Sequence, residues 1–185
     1  MKRNVSIERL IVQTKPFASV AEEAIVSLFL TVDRVREVAH GPLGAHGLSG
    51  EQYNVLRILR GAGSEGLPTY HVVGRMVARA PNITRLTDKL QEKGLLRRIR
   101  SREDRRVTRL VVTDEGLRVL AELDEAIDRS TRRAMEGLAP HEIERFLDLL
   151  EKVREPLVGS NDDSGRPPAD GNPDGFDGDR QEEEE

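Results

Sequence analysis

Between Thr69 and Thr113 the sequence changes its periodicity repeatedly within 45 residues. Val72, Val73, Met76 and Val77 recur at helical spacing, so a short helix is expected there, with Thr69 as its cap. Ala78-Arg79-Ala80 interrupts it. Pro81 then suits the first turn of a second helix, where the N–H that proline lacks would have no intrahelical partner. Ile83, Leu86 and Leu90 form the apolar side of that helix, and Gly94 supplies a left-handed stop. The period then drops to two. Leu95–Arg100 and Val107–Val112 read as short strands joined by a charged tip around Ser101 to Arg106. The tip has no Asn-Gly or Asp-Gly pair, so a longer, mobile loop is expected rather than a two-residue turn. Helix, break, helix and hairpin in such quick succession leave few ways to bury these apolar sides in one small core.

The flanking segments are helical by the same criterion. Residues 17–38 place Phe17, Val20, Ala21, Ala24, Ile25, Leu28, Phe29, Val32, Val35 and Val38 on an apolar stripe too wide for a small domain to cover. A partner chain is the expected cover; an ordinary core helix is the alternative. Gly41, Pro42, Gly44 and Gly47 end that helix. Ser49 with Gln52 forms a capping box for the next one, whose buried side is Val55, Leu56 and Leu59. Thr113, followed by Asp114 and Glu115, caps a further helix lined by Leu117, Leu120, Leu123 and Ile127. Pro140 opens a last one carrying Ile143, Phe146, Leu147, Leu150 and Val153.

The net charge of −4 conceals a strong segregation. Thr69 to Thr113 hold twelve Lys/Arg against four Asp/Glu, a net of +8, and six of the sixteen residues from Arg98 to Thr113 are arginines. Residues 158–185 hold ten acidic residues and two arginines, a net of −8. With hardly an apolar residue, that tail cannot offset the entropy of ordering and is expected to be disordered. A basic block of this density points to a polyanionic partner.

In a helix-turn-helix the second helix lays its N-terminal residues against base edges in the DNA major groove. Here Asn82, Arg85 and Lys89 fall opposite the apolar side of the helix that Pro81 opens. Asparagine can pair with adenine and arginine with guanine, and Thr84 can meet a thymine methyl or a phosphate. Arg75 and Arg79 flank the entry, where phosphates would lie. The hairpin adds a wing. Arg102, Arg105 and Arg106 at its tip suit an adjacent minor groove, and Asp104 would orient one of them through a charge-assisted bond. Arg97, Arg98, Arg100 and Arg109 along the strands are either phosphate contacts or structural ion pairs.

Residues 67–116 resemble the core of the MarR family of bacterial winged helix-turn-helix transcription regulators. The matching pieces are ITRLTDKL, the KGLLRR turn into the wing, the DRR of the wing tip and the LVVTDEG exit; LSGEQYNVLRIL is similar to the helix before them. The resemblance implies a mostly α fold with a small β-hairpin wing. Residues 1–157 would form the domain, with a winged-helix core over about 48–113, dimerisation helices over about 17–40 and 114–157, and the disordered acidic tail at 158–185. It further implies a homodimer on a palindromic operator with half-sites about one helical turn apart, and a repressor released by a small-molecule effector. Asn82, Thr84, Arg85 and Lys89 match the family's DNA-facing helix, and Asp104 and Arg106 its wing Asp-x-Arg. The expected partner is therefore double-stranded DNA. The alternative is an architectural or scaffolding module that binds nucleic acid or protein without sequence preference.

Other classes find no support in the residues. The chain has no cysteine, which rules out a disulfide scaffold and a thiol switch, and the peroxide-sensing and urate-responsive types of the family lack their Cys and Trp here. His40, His46, His71 and His141 are scattered rather than spaced as metal ligands, so no metal or cofactor is expected. No glycine-rich phosphate loop, activated nucleophile or carboxylate pair suggests an enzyme. No run reaches the roughly 18 apolar residues of a membrane span, and MKRNVSIERLIVQTK carries charges where a signal peptide needs an apolar core, so a cytoplasmic protein is expected. Tyr53 and Phe29 belong either to the core or to a ligand cleft beside the dimerisation helices. The acidic tail either solubilises the chain or competes with DNA for the basic block.

Overall fold

A computed structural model describes residues 7–77, 82–101 and 107–158. A single turn, α1 (Ile7–Leu10), precedes the long α2 (Val20–His40). Ser19 sets the start of α2: its hydroxyl accepts from the Glu22 N–H at 3.1 Å, and the Glu22 carboxylate accepts from the Ala18 N–H at 2.7 Å. Phe17 therefore lies outside the helix. A 3₁₀ turn over Gly41–His46 leads to α3 (Gly50–Gly61). The expected capping box is present, with Gln52 N–H donating to Ser49 Oγ at 3.3 Å and Ser49 N–H donating to Gln52 Oε1 at 3.0 Å. Val55, Leu56 and Leu59 on α3 are fully buried.

The hairpin is part of a three-stranded sheet. β1 (Leu67–Pro68) pairs antiparallel with β3 (Thr108–Val112), which pairs antiparallel with β2 (Leu96–Arg100), giving the order β1-β3-β2. A two-residue strand has no period to detect, which is why the sequence did not reveal β1. β1 also moves the start of α4 (Thr69–Arg75). Pro68 is held extended opposite Arg109 and occupies the cap position, so Thr69 is already helical and makes no cap bond. Met76 is extended rather than helical, and Val77 is exposed.

α5 (Ile83–Glu92) begins at Ile83 because Asn82 caps it, its Oδ1 accepting from the Arg85 N–H at 3.0 Å. Pro81, expected inside the first turn, lies outside the described residues, as do Arg79 and the rest of the break. The far end of α5 is a Schellman motif. The Leu95 N–H donates to Leu90 O at 2.9 Å, the Gly94 N–H donates to Gln91 O at 2.9 Å, and Gly94 takes φ +71°. Leu90 and Leu95 are both buried, so the motif closes over an apolar contact and aims the chain into β2.

Thr113 caps α6 (Asp114–Met135), its hydroxyl accepting from the Gly116 N–H at 3.1 Å, and α7 (Pro140–Val158) follows. The core lies between α3, α4, α5, the sheet and the first half of α6, with Leu56, Leu59, Leu90, Leu110, Leu120 and Leu123 at its centre. α2 lies along α6. Neither α2 nor α7 contributes a buried residue, and Phe29, Ile25, Leu147 and Val153 stand exposed. Phe29 is therefore not a core residue of the single chain. Among the described residues, no helix is long and apolar enough to cross a membrane.

Candidate nucleic-acid interface

The residues expected to read DNA fall on one helix whose other side is fixed. Asn82, Thr84, Arg85 and Lys89 are exposed on α5 and its cap. Behind them Leu90 and Thr87 are fully buried, and Ile83 and Leu86 pack on the core. Thr87 was not expected there, since a hydroxyl carries no apolar signal. It is accommodated because its Oγ1 donates to Thr84 O at 2.9 Å and accepts from Arg98 Nη2 at 2.8 Å. In the described structure Asn82 serves first as a cap. With Oδ1 engaged by the Arg85 N–H, a two-bond contact with adenine would require that oxygen to be shared or released.

Arg98 is a clamp between sheet and helix. Its guanidinium donates to Gln91 Oε1 at 2.7 Å, Thr87 Oγ1 at 2.8 Å and Asp88 Oδ1 at 2.7 Å. Three acceptors on successive turns of α5 fix the helix against β2, so the orientation of the reading face depends on this side chain. Arg98→Ala is expected to lower stability by about 1–2 kcal/mol, the range for losing several partly exposed, charge-assisted bonds. Arg98→Lys should recover little of it, because an ammonium cannot present the planar fork. Urea unfolding midpoints of the three forms check this; an unchanged midpoint for Arg98→Ala would contradict it.

Arg109 is likewise structural, donating to Glu65 O at 2.8 Å and Gly66 O at 3.1 Å. Arg97, Arg100 and Arg109 line an open cleft of about 500 Å³ with Ser64 and Glu65. The wing-tip residues Arg102, Asp104, Arg105 and Arg106 lie outside the described residues.

Cations are treated differently across the molecule. On the helical frame Arg34 pairs with Glu37, Arg60 with Asp124, Arg118 with Glu115 and Glu122, Arg129 with Glu125, and Arg132 with Asp128. Glu115 holds its charge more readily than an ordinary carboxyl, chiefly through its hydrogen bond with Arg118. Among the described residues, Arg85, Lys89, Arg97 and Arg100 have no carboxylate partner.

A second concavity of about 270 Å³ lies where α2, α3 and α6 meet, walled by Arg36, His40, Tyr53, Arg57, Ile127 and Thr131 among others. Tyr53 is thus both buried and part of a cleft, with the Arg57 guanidinium 5.7 Å from its ring centre. Among the described residues, no group of three or more His, Asp or Glu is placed to hold a metal ion.

A helix held against a small sheet by its inner side, with Asn, Thr, Arg and Lys on its outer side, defines a winged helix-turn-helix DNA-binding module. Residues 48–108 match the MarR family. The chain is 31% identical over 110 residues to the transcriptional regulator PapX of Escherichia coli, covering 60% of this chain and 67% of PapX. A MarR transcription factor from Planctomyces limnophilus is 37% identical, with a TM-score of 0.57 over 74% of this chain and 98% of that one. Bordetella bronchiseptica BpsR shares the fold at 21% identity, with a TM-score of 0.66 over 76% of this chain and 99% of that one. The chain belongs to the MarR family: it is a DNA-binding transcription regulator, not an enzyme.

Proposed function

We propose that two copies of this chain form a repressor that grips a palindromic operator and is released by a small ligand. In this reading residues 1–157 are the working unit, with the winged-helix core over about 48–113 carried by dimerisation helices over about 17–40 and 114–157. The observation that supports it most is the pairing of a fixed, cation-bearing α5 with two long helices, α2 and α7, whose apolar rows are uncovered in the single chain. Apolar rows of that length on a monomer mark an interface. Joining them would set two copies of α5 at a fixed separation, which a palindrome with half-sites about one turn apart would match.

The cavity between α2, α3 and α6 is the effector site in this proposal. Its size suits a single-ring molecule, and its walls join a dimerisation helix to the winged helix. A ligand there would favour one relative tilt of the two units and shift the population away from the DNA-competent dimer. DNA binding by BpsR is regulated by 6-hydroxynicotinic acid, a molecule of that size class.

Selection of bound duplexes from a random library tests the reading. A two-fold symmetric winner is expected, and no sequence preference would favour the architectural alternative. Arg85→Ala should change the selected base at one position of each half-site. Arg106→Ala should weaken binding to all sequences alike and reduce the slope of log affinity against log salt by about one unit per subunit, as expected for losing one phosphate contact. A variant that alters neither preference nor slope would remove that residue from the interface.

A further inference from the structure

Two unbalanced charge systems remain, and they are opposite in sign. The frame arginines named above are neutralised by their neighbours, whereas Arg85 and Lys89 on α5 and Arg97 and Arg100 on β2 are exposed with no carboxylate partner among the described residues. Beyond Val158, where α7 ends, residues 159–185 carry ten carboxylates and two arginines, a net of −8 against the +8 of Thr69 to Thr113. Four of those carboxylates are consecutive, Glu182 to Glu185.

We propose that residues 159–185 dock on the unpaired cations of the winged helix, Arg85, Lys89, Arg97 and Arg100, and compete there with DNA. The proposal rests on the reading of α5 as the DNA-contacting helix. Reach is not limiting: 27 residues can span up to about 90 Å, whereas the longest helix, the 22-residue α6, measures about 33 Å. Tethering also favours the tail, because a segment on the same molecule competes at an effective concentration in the millimolar range without any new contact.

A tethered polyanion acts unequally on different DNA. Nonspecific duplex is held only by phosphate contacts, which the carboxylates imitate, so they displace it readily. An operator adds base-edge contacts that carboxylates cannot imitate, so it is displaced less. The tail would therefore lower nonspecific affinity more than operator affinity and raise discrimination. The Arg97–Arg100–Arg109 cleft, about 500 Å³ and open, offers room for several carboxylates beside α5.

The test uses the full-length chain and a full-length variant with the ten acidic residues of 159–185 replaced by Asn or Gln. At about 50 mM salt the variant is expected to bind random duplex about tenfold tighter and the selected operator only two- to threefold tighter. Both differences should vanish near 300 mM, where screening is strong. Equal random-duplex affinity of the two proteins at low salt overturns the proposal. A second readout needs no DNA. Carbodiimide joins carboxylates to lysine amines in contact, and Lys89 is the reporter, since the Lys93 amine already donates to Gly47 O at 2.5 Å. Cross-links from 159–185 to Lys89, lost at 300 mM salt and absent at Lys15, are expected. Cross-links confined to Lys152, or equal at Lys15 and Lys89, overturn the docking. If neither protein binds any duplex, the DNA-binding reading of α5 fails, while the cross-links still decide whether the tail docks.

Discussion

Gly66→Ala is expected to destabilise the protein by about 3–5 kcal/mol and lower its melting temperature by about 10 °C or more. Two independent effects act at this position. Gly66 takes φ +61° and ψ −165°, a region essentially closed to residues with a Cβ and costing about 1–3 kcal/mol. A Cβ built there would also lie 2.2 Å from the carbonyl oxygen of Leu110 and 2.6 Å from Cγ2 of Val111. The carbonyl belongs to the central strand of the sheet and cannot yield without breaking β1 from β3. Gly63 supplies the control. It has φ +64°, yet nothing lies within 4 Å of its virtual Cβ, so Gly63→Ala should show only a conformational cost of about 1–2 kcal/mol. Thermal unfolding of the two variants at one protein concentration separates steric from conformational cost. Equal melting points for the two would mean that β1 adjusts freely, contrary to the geometry.

The second large effect concerns assembly. Phe29→Glu and Leu147→Glu place a charge on α2 and α7 at side chains that are 69% and 57% exposed in the single chain. Neither change touches the winged-helix core, so helix content by circular dichroism should be retained. Buried at a dimer interface, however, an unpaired carboxylate costs several kcal/mol. Both variants are expected to sediment as single chains at micromolar concentration and to bind the selected operator more than about 100-fold more weakly, since the second half-site no longer benefits from tethering. Their affinity for an isolated half-site should match that of the native chain. Variants that remain dimeric would place the interface elsewhere.

Much of this architecture was legible in local sequence, where one interaction between near neighbours decides the outcome. The Ser49–Gln52 box, the Thr113 cap and the Gly94 stop all involve residues within five positions of each other, so their chemistry appears in the sequence as spacing. The reading side of α5 was legible for the same reason: Thr84, Arg85 and Lys89 stand opposite Leu90 at helical intervals. β1 was not, because Leu67 and Pro68 are strand only by virtue of Leu110 and Arg109, more than forty residues away. Thr87 was not, because the partner that lets its hydroxyl be buried is Arg98, on another element.

The strand arginines show where the division falls. Sequence by itself determined that positive charge gathers between Thr69 and Thr113, that helices, break and hairpin follow in an order suited to DNA, and which side of α5 carries Asn82, Thr84, Arg85 and Lys89. Only the tertiary structure decided which cations hold the fold and which remain for a partner. Arg98 and Arg109 are consumed by Asp88, Thr87, Gln91 and two backbone carbonyls, while Arg97 and Arg100 on the same strand as Arg98 have no carboxylate partner among the described residues. The reason is distance: whether an arginine is neutralised depends on what lies within about 4 Å of its guanidinium, and for a strand residue those atoms come from parts of the chain that spacing along the sequence does not bring together.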